Sequence, residues 1–134
     1  MAVAFAFTKA GDHILVVDSA YAPTRFFCDR VLSRFGVETT YYDPLIGAGI
    51  SELFRPNTTL IFPDSPGSLT FEVQDIPAIA EAAHRRGIKV LMDNTWGTPL
   101  YFKSFAHGVD VSIHSGTKYI VGHSDAQLGV VVAN

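Results

Sequence analysis

The sequence predicts an α/β fold, a mostly parallel sheet with helices on both faces, and three observations lead to this prediction. Short apolar runs of strand length recur along the 134 residues. Helical patterns stand between several of these runs, an alternation typical of parallel strands joined by crossovers. Polar residues follow several runs directly, as they do at the ligand-binding edge of such sheets. A chain of this length is sufficient for one domain with its own core.

Six segments have the composition and length of strands. Most are continuous apolar runs, which are typical of strands buried on both faces of a parallel sheet. Residues 37–42 alternate instead and are rich in β-formers, so this strand is expected nearer an edge. The predicted strands cover residues 13–18, 37–42, 58–62, 88–92, 110–114 and 128–133.

Helical patterns occupy two of the connections between strands. The first begins at Thr24, a predicted N-cap, and its apolar face continues from Cys28 at helical spacing until Gly36. The second begins at Asp75, also a predicted N-cap, and ends at Gly87, because glycine readily adopts the left-handed backbone of a helix end. Weaker helical patterns cover residues 1–10, 50–54 and 102–107.

Composition places the chain among globular proteins and restricts its partners. It is 48% hydrophobic and 17% charged, which supplies ample apolar material for a core. The formal net charge of −3 gives no electrostatic reason to expect nucleic acid or an anionic membrane as a partner. The single cysteine, Cys28, excludes an internal disulfide and favours a reducing compartment, so a cytoplasmic protein is expected. The five histidines lack metal-ligand spacing, so no metal site is expected.

Polar residues at three strand ends have complementary chemistry. Tyr21 follows the first predicted strand, Asp93 follows the fourth and Lys118 follows the fifth. Two hydroxyl side chains, Ser115 and Thr117, directly precede that lysine. Because the carboxyl ends of parallel strands share one edge of a sheet, we expect these side chains to converge there.

The five side chains match the needs of pyridoxal phosphate (PLP), which carries a phosphate and a carbonyl. A lysine amine is its usual covalent link to protein, which predicts that role for Lys118. Ser115 and Thr117, two residues apart in an extended segment, are expected to point the same way and to bind one phosphate. Asp93 can keep the pyridine nitrogen protonated through its opposite charge. The Tyr21 ring can stack on the pyridine face.

Two motifs carry a resemblance to a known family. Residues 93–99, Asp-Asn-Thr-Trp-Gly-Thr-Pro, and residues 115–125, Ser-Gly-Thr-Lys-Tyr-Ile-Val-Gly-His-Ser-Asp, resemble motifs of the cysteine/methionine-metabolism PLP enzymes. The resemblance runs over the whole chain. It implies the large cofactor domain of the aspartate-aminotransferase-like (fold type I) PLP enzymes, with pyridoxal 5'-phosphate as cofactor.

The same resemblance implies a role for each candidate site residue. Lys118 is implied as the catalytic Schiff-base lysine, helped by Tyr21 in removing the substrate's Cα proton. Asp93 is implied as the partner of the pyridine nitrogen, and Tyr21 as the stacking ring. Ser115 and Thr117 match the phosphate-binding hydroxyls of the family.

Within the family, three stretches resemble the branch that cleaves a Cβ–S bond, namely residues 43–47, residues 65–68 and Trp96. This resemblance implies β-elimination of L-cystathionine to homocysteine, pyruvate and ammonia, a transsulfuration step of methionine biosynthesis. Relatives that act at Cγ use the same residues in this segment, so a γ-acting enzyme stays an alternative. A non-catalytic fragment of such an enzyme is an alternative from another class.

The resemblance also implies that the chain is the central part of a longer enzyme. Residues 1–134 match the middle of the PLP-binding large domain, so an N-terminal segment and a C-terminal domain are expected beyond them. Those parts are expected to supply backbone contacts to the phosphate and an arginine for the substrate carboxylate. The family's enzymes assemble as tetramers of active dimers, so a homo-oligomer is expected.

Overall fold

Six strands form one sheet in the computed structural model, which describes all residues 1–134. Their order across the sheet is β2-β1-β3-β4-β5-β6, with parallel pairing throughout except between β5 and β6. All six predicted strands are confirmed, with bounds that differ by at most one residue. The strands are β1 (His13–Val17), β2 (Glu38–Tyr42), β3 (Thr58–Phe62), β4 (Lys89–Asp93), β5 (Val111–Ser115) and β6 (Gly129–Ala133).

Helices cover both faces of the sheet. The three α-helices are α1 (Ala22–Arg30), α2 (Ile76–His84) and α3 (Thr98–Tyr101). The connection through α1 steps from β1 toward one edge, whereas the connection through α2 steps from β3 toward the other. Because parallel crossovers are right-handed, α1 and α2 lie on opposite faces. None of the helices combines the length and apolar character that crossing a membrane requires.

The core lies around the central strands. Every residue of β1 is buried, as a strand covered on both faces requires. β2 buries only Tyr42, which confirms its predicted position at the sheet edge. Cys28 packs into the core from α1, and burial raises the pKa of its thiol to about 11, so it stays protonated. The prediction that Cys28 lies on the apolar face of its helix is therefore confirmed.

The start of α1 differs from the prediction. Tyr21 is the N-cap, and Thr24, the predicted cap, lies inside the first turn with its side chain buried. A proline in the first turn favours this earlier start, because its fixed φ suits a helix and it lacks an N–H to satisfy. The helix ends at Arg30, and a separate 3₁₀ helix continues to the predicted stop at Gly36, which has a φ of 74°.

The other helical predictions are confirmed in part. Asp75 caps α2, and its carboxylate accepts the N–H of Ala78 at 3.1 Å. The weaker patterns appear as 3₁₀ helices at Gly47–Leu53 and Ser104–His107. The prediction for residues 1–10 is wrong in its extent, because the helix there is a 3₁₀ helix of only five residues, Ala2–Ala6. Helix α3 was not predicted from the sequence.

Candidate active site

A cavity of about 540 Å³ opens at the carboxyl ends of β1, β3, β4 and β5. Its volume is typical of small-molecule sites. A second cavity of about 440 Å³, beside Cys28 and Glu38, offers no comparable set of reactive groups. The side chains proposed from the sequence to bind the cofactor all line the cavity at the strand ends: Tyr21, Asp93, Ser115, Thr117 and Lys118.

Asp93, the last residue of β4, is held by Thr95. One carboxylate oxygen, Oδ1, accepts the Thr95 N–H at 3.0 Å and the Thr95 hydroxyl at 2.6 Å. The same hydroxyl oxygen accepts the N–H of Ser115 at 2.8 Å. Thr95 therefore connects the Asp93 carboxylate to the end of β5. Sequence reasoning missed this residue, although a threonine two positions after an aspartate is a known source of such local bonds.

A second carboxylate, Asp64, lies beside Asp93 in the cavity wall. The two residues form a parallel bridge where β3 and β4 end. Asp64 is buried, and its Oδ2 accepts the backbone N–H of Tyr21 at 3.1 Å. Burial raises the pKa of Asp64 to about 7, and the negative charge of Asp93 adds to this rise. Sequence reasoning missed Asp64 as well, because it stands in a proline-rich turn where aspartate is common.

The segment that carries Lys118, residues 116–121, leaves β5 as a tight turn. The N–H of Lys118 donates to the Ser115 carbonyl at 2.9 Å, and the N–H of Gly122 donates to the Lys118 carbonyl at 2.8 Å. The prediction that Ser115 and Thr117 share an extended segment is therefore wrong, since β5 ends at Ser115 and Thr117 lies in the turn that follows. The turn nevertheless brings both residues to the same cavity. The Thr117 hydroxyl oxygen accepts the N–H of Leu128 at 2.9 Å.

Three aromatic side chains line the cavity, those of Tyr21, Trp96 and Tyr119, and Phe71 packs against one of them. Phe71 and Trp96 pack edge to face with ring centroids 5.5 Å apart, and Tyr119 lies 6.2 Å from Trp96. Tyr21 is 58% exposed as a residue and lines the cavity, so its side chain is accessible to a ligand. Aromatic edges and faces of this kind suit a flat heterocycle.

The histidines of this region lie outside the cavity lining. His114 is buried on β5, where its Nε2 lies 3.0 Å from the Ser112 hydroxyl. Burial lowers the pKa of His114, so the ring stays neutral at physiological pH. His123 and Asp125 are exposed.

The donor set of the cavity fits pyridoxal phosphate. Ser115 and Thr117 supply hydroxyls for a phosphate, and Lys118, in the turn after β5, supplies an amine for a carbonyl. Asp93 supplies a carboxylate fixed by two hydrogen bonds, as a protonated ring nitrogen requires. The exposed ring of Tyr21 offers a flat surface to the same space.

Comparison with known proteins gives a consistent result. The model of the family described as "Cys/Met metabolism PLP-dependent enzyme" matches residues 1–134. A putative cystathionine beta-lyase of Rhizobium johnstonii is 63% identical over 128 residues, which cover 96% of this chain and 32% of that protein. The cystathionine beta-lyase MetC of Escherichia coli is 48% identical over 132 residues, with 96% and 33% covered.

A solved structure is similar over the whole chain. The cystathionine gamma-lyase from Lactobacillus plantarum, complexed with L-serine, superposes with a TM-score of 0.95 at 34% identity, over 99% of this chain and 35% of that one. The predicted fold, family resemblance and PLP cofactor are thereby confirmed. The chain spans about a third of the length of the relatives it matches.

The bridging role of Thr95 can be tested by removing its hydroxyl. In Thr95→Val the shape is kept, but the Asp93 carboxylate and the Ser115 N–H each lose a partner. Because hydrogen bonds to charged groups contribute about 1.5–3 kcal/mol, we expect PLP to bind about tenfold more weakly or worse. Titration of the apoprotein with PLP measures this. Thr95→Ser restores the hydroxyl and should bind nearly normally; wild-type affinity in Thr95→Val would contradict the role.

The raised pKa of Asp64 predicts a pH dependence of stability in the apoprotein. Folded protein keeps the Asp64 proton up to about pH 7, whereas the unfolded chain releases it near pH 4. Between these values the folded state binds the extra proton, so stability falls as the pH rises. The Asp64→Asn variant cannot release this proton, so it does not lose stability in this way as the pH rises. We therefore expect the melting temperature of the variant, relative to wild type, to increase between about pH 4 and pH 7 and then level off.

Thermal unfolding of both apoproteins across this pH range checks the prediction. Asp75→Asn is the matched control, because Asp75 also accepts a backbone N–H but is exposed and lies outside the cavity. Its difference from wild type should show no comparable rise over that window. A difference for Asp64→Asn that does not change with pH would show that Asp64 titrates like an exposed aspartate.

Proposed function

The chain belongs to the Cys/Met-metabolism family of PLP-dependent enzymes, and from this premise we propose that it is the cofactor-binding part of a cystathionine β-lyase. The proposed reaction is β-elimination of L-cystathionine to homocysteine, pyruvate and ammonia. The observation that carries the proposal is the meeting of Lys118, Asp93 and Tyr21 with two hydroxyl side chains on one cavity. The names of the more similar relatives favour the β-acting branch.

We assign Lys118 two tasks, the covalent hold on the cofactor and removal of the substrate's Cα proton. When bound, PLP supplies an electron sink for the carbanion that this proton removal creates. The Nζ atom of Lys118 must carry a free electron pair to accept that proton. Its place in a turn at the cavity, with an exposed side chain, gives the amine room to move between the two tasks.

The other site residues bind and orient in this proposal. Asp93 stabilises positive charge on the pyridine nitrogen, and Thr95 keeps its carboxylate in place. Ser115 and Thr117 bind the phosphate. The Thr117 oxygen accepts the N–H of Leu128 at 2.9 Å, and its hydroxyl donates to the Leu128 carbonyl over a long 3.4 Å. A phosphate oxygen can take the place of that carbonyl as the acceptor. Tyr21 covers the ring face and assists the proton removal.

The proposal extends to the whole protein. Residues 1–134 are assigned to the central part of the PLP-binding large domain, because they match about a third of each relative. An N-terminal segment and a C-terminal domain then complete the site, and the protein assembles as a homotetramer of active dimers. The exposed aromatic residues at the cavity mouth favour such covering. The single, buried cysteine favours the cytoplasm.

A γ-acting relative is the second candidate function. It is favoured by the high similarity to a cystathionine gamma-lyase structure. The proposed tasks of Lys118, Asp93 and Tyr21 are the same in both reactions, because each starts by removing a proton from Cα. The branches differ in which carbon–sulfur bond then breaks.

Replacement of the lysine tests the cofactor assignment. In the whole protein we expect wild type to show the visible absorption of PLP bound covalently to a lysine. Lys118→Ala removes the only amine that lines the cavity and should abolish that absorption and turnover. Lys103→Ala is the matched control, an exposed lysine outside the cavity, and should retain both. An unchanged spectrum in Lys118→Ala would sink the assignment.

Product analysis distinguishes the two branches. Purified whole protein is loaded with PLP and incubated with L-cystathionine. We expect pyruvate and homocysteine, because β-elimination breaks the Cβ–S bond on the three-carbon side. Formation of 2-oxobutyrate and cysteine would instead establish the γ-acting reaction. Lys118→Ala serves as the blank for both assays.

A further inference from the structure

We propose that Asp64 is a positioning residue, whose side chain fixes the backbone of Tyr21 and so directs the tyrosine ring over the cavity. This inference rests on the proposed function in one respect, the assignment of the Tyr21 ring to the face of PLP. The proposed function gives Asp64 no part in cofactor binding or proton transfer. Its hydrogen bond to the Tyr21 N–H connects it to a residue that does take part.

The bond joins two neighbouring strand ends. Tyr21 lies just beyond β1 and Asp64 just beyond β3, and these strands are paired in the sheet. The Oδ2 atom of Asp64 lies 3.1 Å from the Tyr21 nitrogen. Asp64 is 7% exposed, so water has little access to replace the carboxylate as acceptor. A buried N–H that loses its partner is costly.

Asp64 is itself held in place by a buried amide. The Gln74 Nε2 donates to the Asp64 carbonyl at 2.9 Å, and the Gln74 Oε1 accepts the Tyr42 hydroxyl at 2.8 Å. The backbone N–H of Gln74 donates to the Ser65 hydroxyl oxygen at 3.0 Å. The acceptor for Tyr21 is thus fixed from the edge strand β2 and from the turn after β3.

Tyr21 has few other restraints. The residue is more than half exposed, and its hydroxyl takes part in none of the hydrogen bonds of the structure. Its carbonyl accepts the N–H groups of Thr24 and Arg25 at the start of α1. The backbone at position 21 therefore sets the direction in which the Tyr21 side chain leaves the chain, and it is held by the helix on one side and by Asp64 on the other.

A charge effect on Asp93 is the competing role for Asp64. The two carboxylates are neighbours, so ionisation of Asp64 would change the field at the ring nitrogen. The roles separate because an amide oxygen can accept the same N–H. Asp64→Asn keeps an acceptor and removes the ionisable group, whereas Asp64→Ala removes both.

The test uses the whole protein, stripped of cofactor and titrated with PLP. We expect Asp64→Ala to bind PLP about tenfold more weakly and Asp64→Asn to stay within about threefold of wild type. Because Asp64 acts through Tyr21, Asp64→Ala should cost nothing further in a Tyr21→Ala background. Hydrogen exchange at the Tyr21 amide of the apoprotein gives a second readout, faster in Asp64→Ala and unchanged in Asp64→Asn.

Asp75→Ala is the control. It removes another carboxylate-to-amide bond of 3.1 Å, at the start of α2 and outside the cavity. It should lower the melting temperature and leave PLP affinity unchanged. If Asp64→Ala does not fold, Asp64→Leu fills a similar volume without an acceptor and replaces it in every comparison.

Three results would overturn the inference. Asp64→Asn as damaging as Asp64→Ala would assign the effect to charge, and an equal loss in both Tyr21 backgrounds would make it independent of Tyr21. Wild-type affinity in Asp64→Ala, with the wild type binding PLP, would remove the role and leave the proposed function intact. Failure of the wild type to bind PLP, or normal affinity in Tyr21→Ala, would instead refute the proposed function's assignments on which the inference rests.

Discussion

Parallel pairing of β1, β3, β4 and β5 is the constraint on which the candidate site depends. Parallel strands end at the same edge of a sheet, so the residues that follow them meet there regardless of their distance in sequence. In this way Tyr21 and Lys118, near opposite ends of the chain, line one cavity. The complete burial of β1 fixes its register, because a shift would expose apolar side chains or bury polar ones.

The same convergence creates an electrostatic problem that the hydrogen bonds address. Asp64 and Asp93 are brought side by side, and two like charges in a partly buried position repel each other. Asp93 gains a hydroxyl and an amide donor from Thr95, while Asp64 gains one amide donor from Tyr21. Asp64 is also the more buried of the two, and burial, together with the charge of Asp93, raises its pKa to about 7. One carboxylate is thereby left as the main negative charge for a cationic ring.

The sequence was sufficient for those features that depend on local pattern. Strand positions follow from apolar runs, and Asp93 and Lys118 stand out because polar residues directly follow such runs. Thr95 and Asp64 could not be ranked in this way, since each gains its role from a partner on another strand. From the local sequence alone, Thr95 and Asp64 have the properties of ordinary turn-forming residues.

The start of α1 illustrates why the remaining features escaped a local reading. A hydroxyl at Thr24 favours a cap there, yet the N-cap is Tyr21, whose side chain makes no capping bond. The Tyr21 N–H is instead bound by Asp64 from a neighbouring strand end, and its carbonyl accepts two helical N–H groups. A tertiary bond and a proline thus decide where the helix starts, against local preference. Because the same position sets where the Tyr21 side chain leaves the backbone at the cavity, the bond from Asp64 contributes both to the helix boundary and to the geometry of the site.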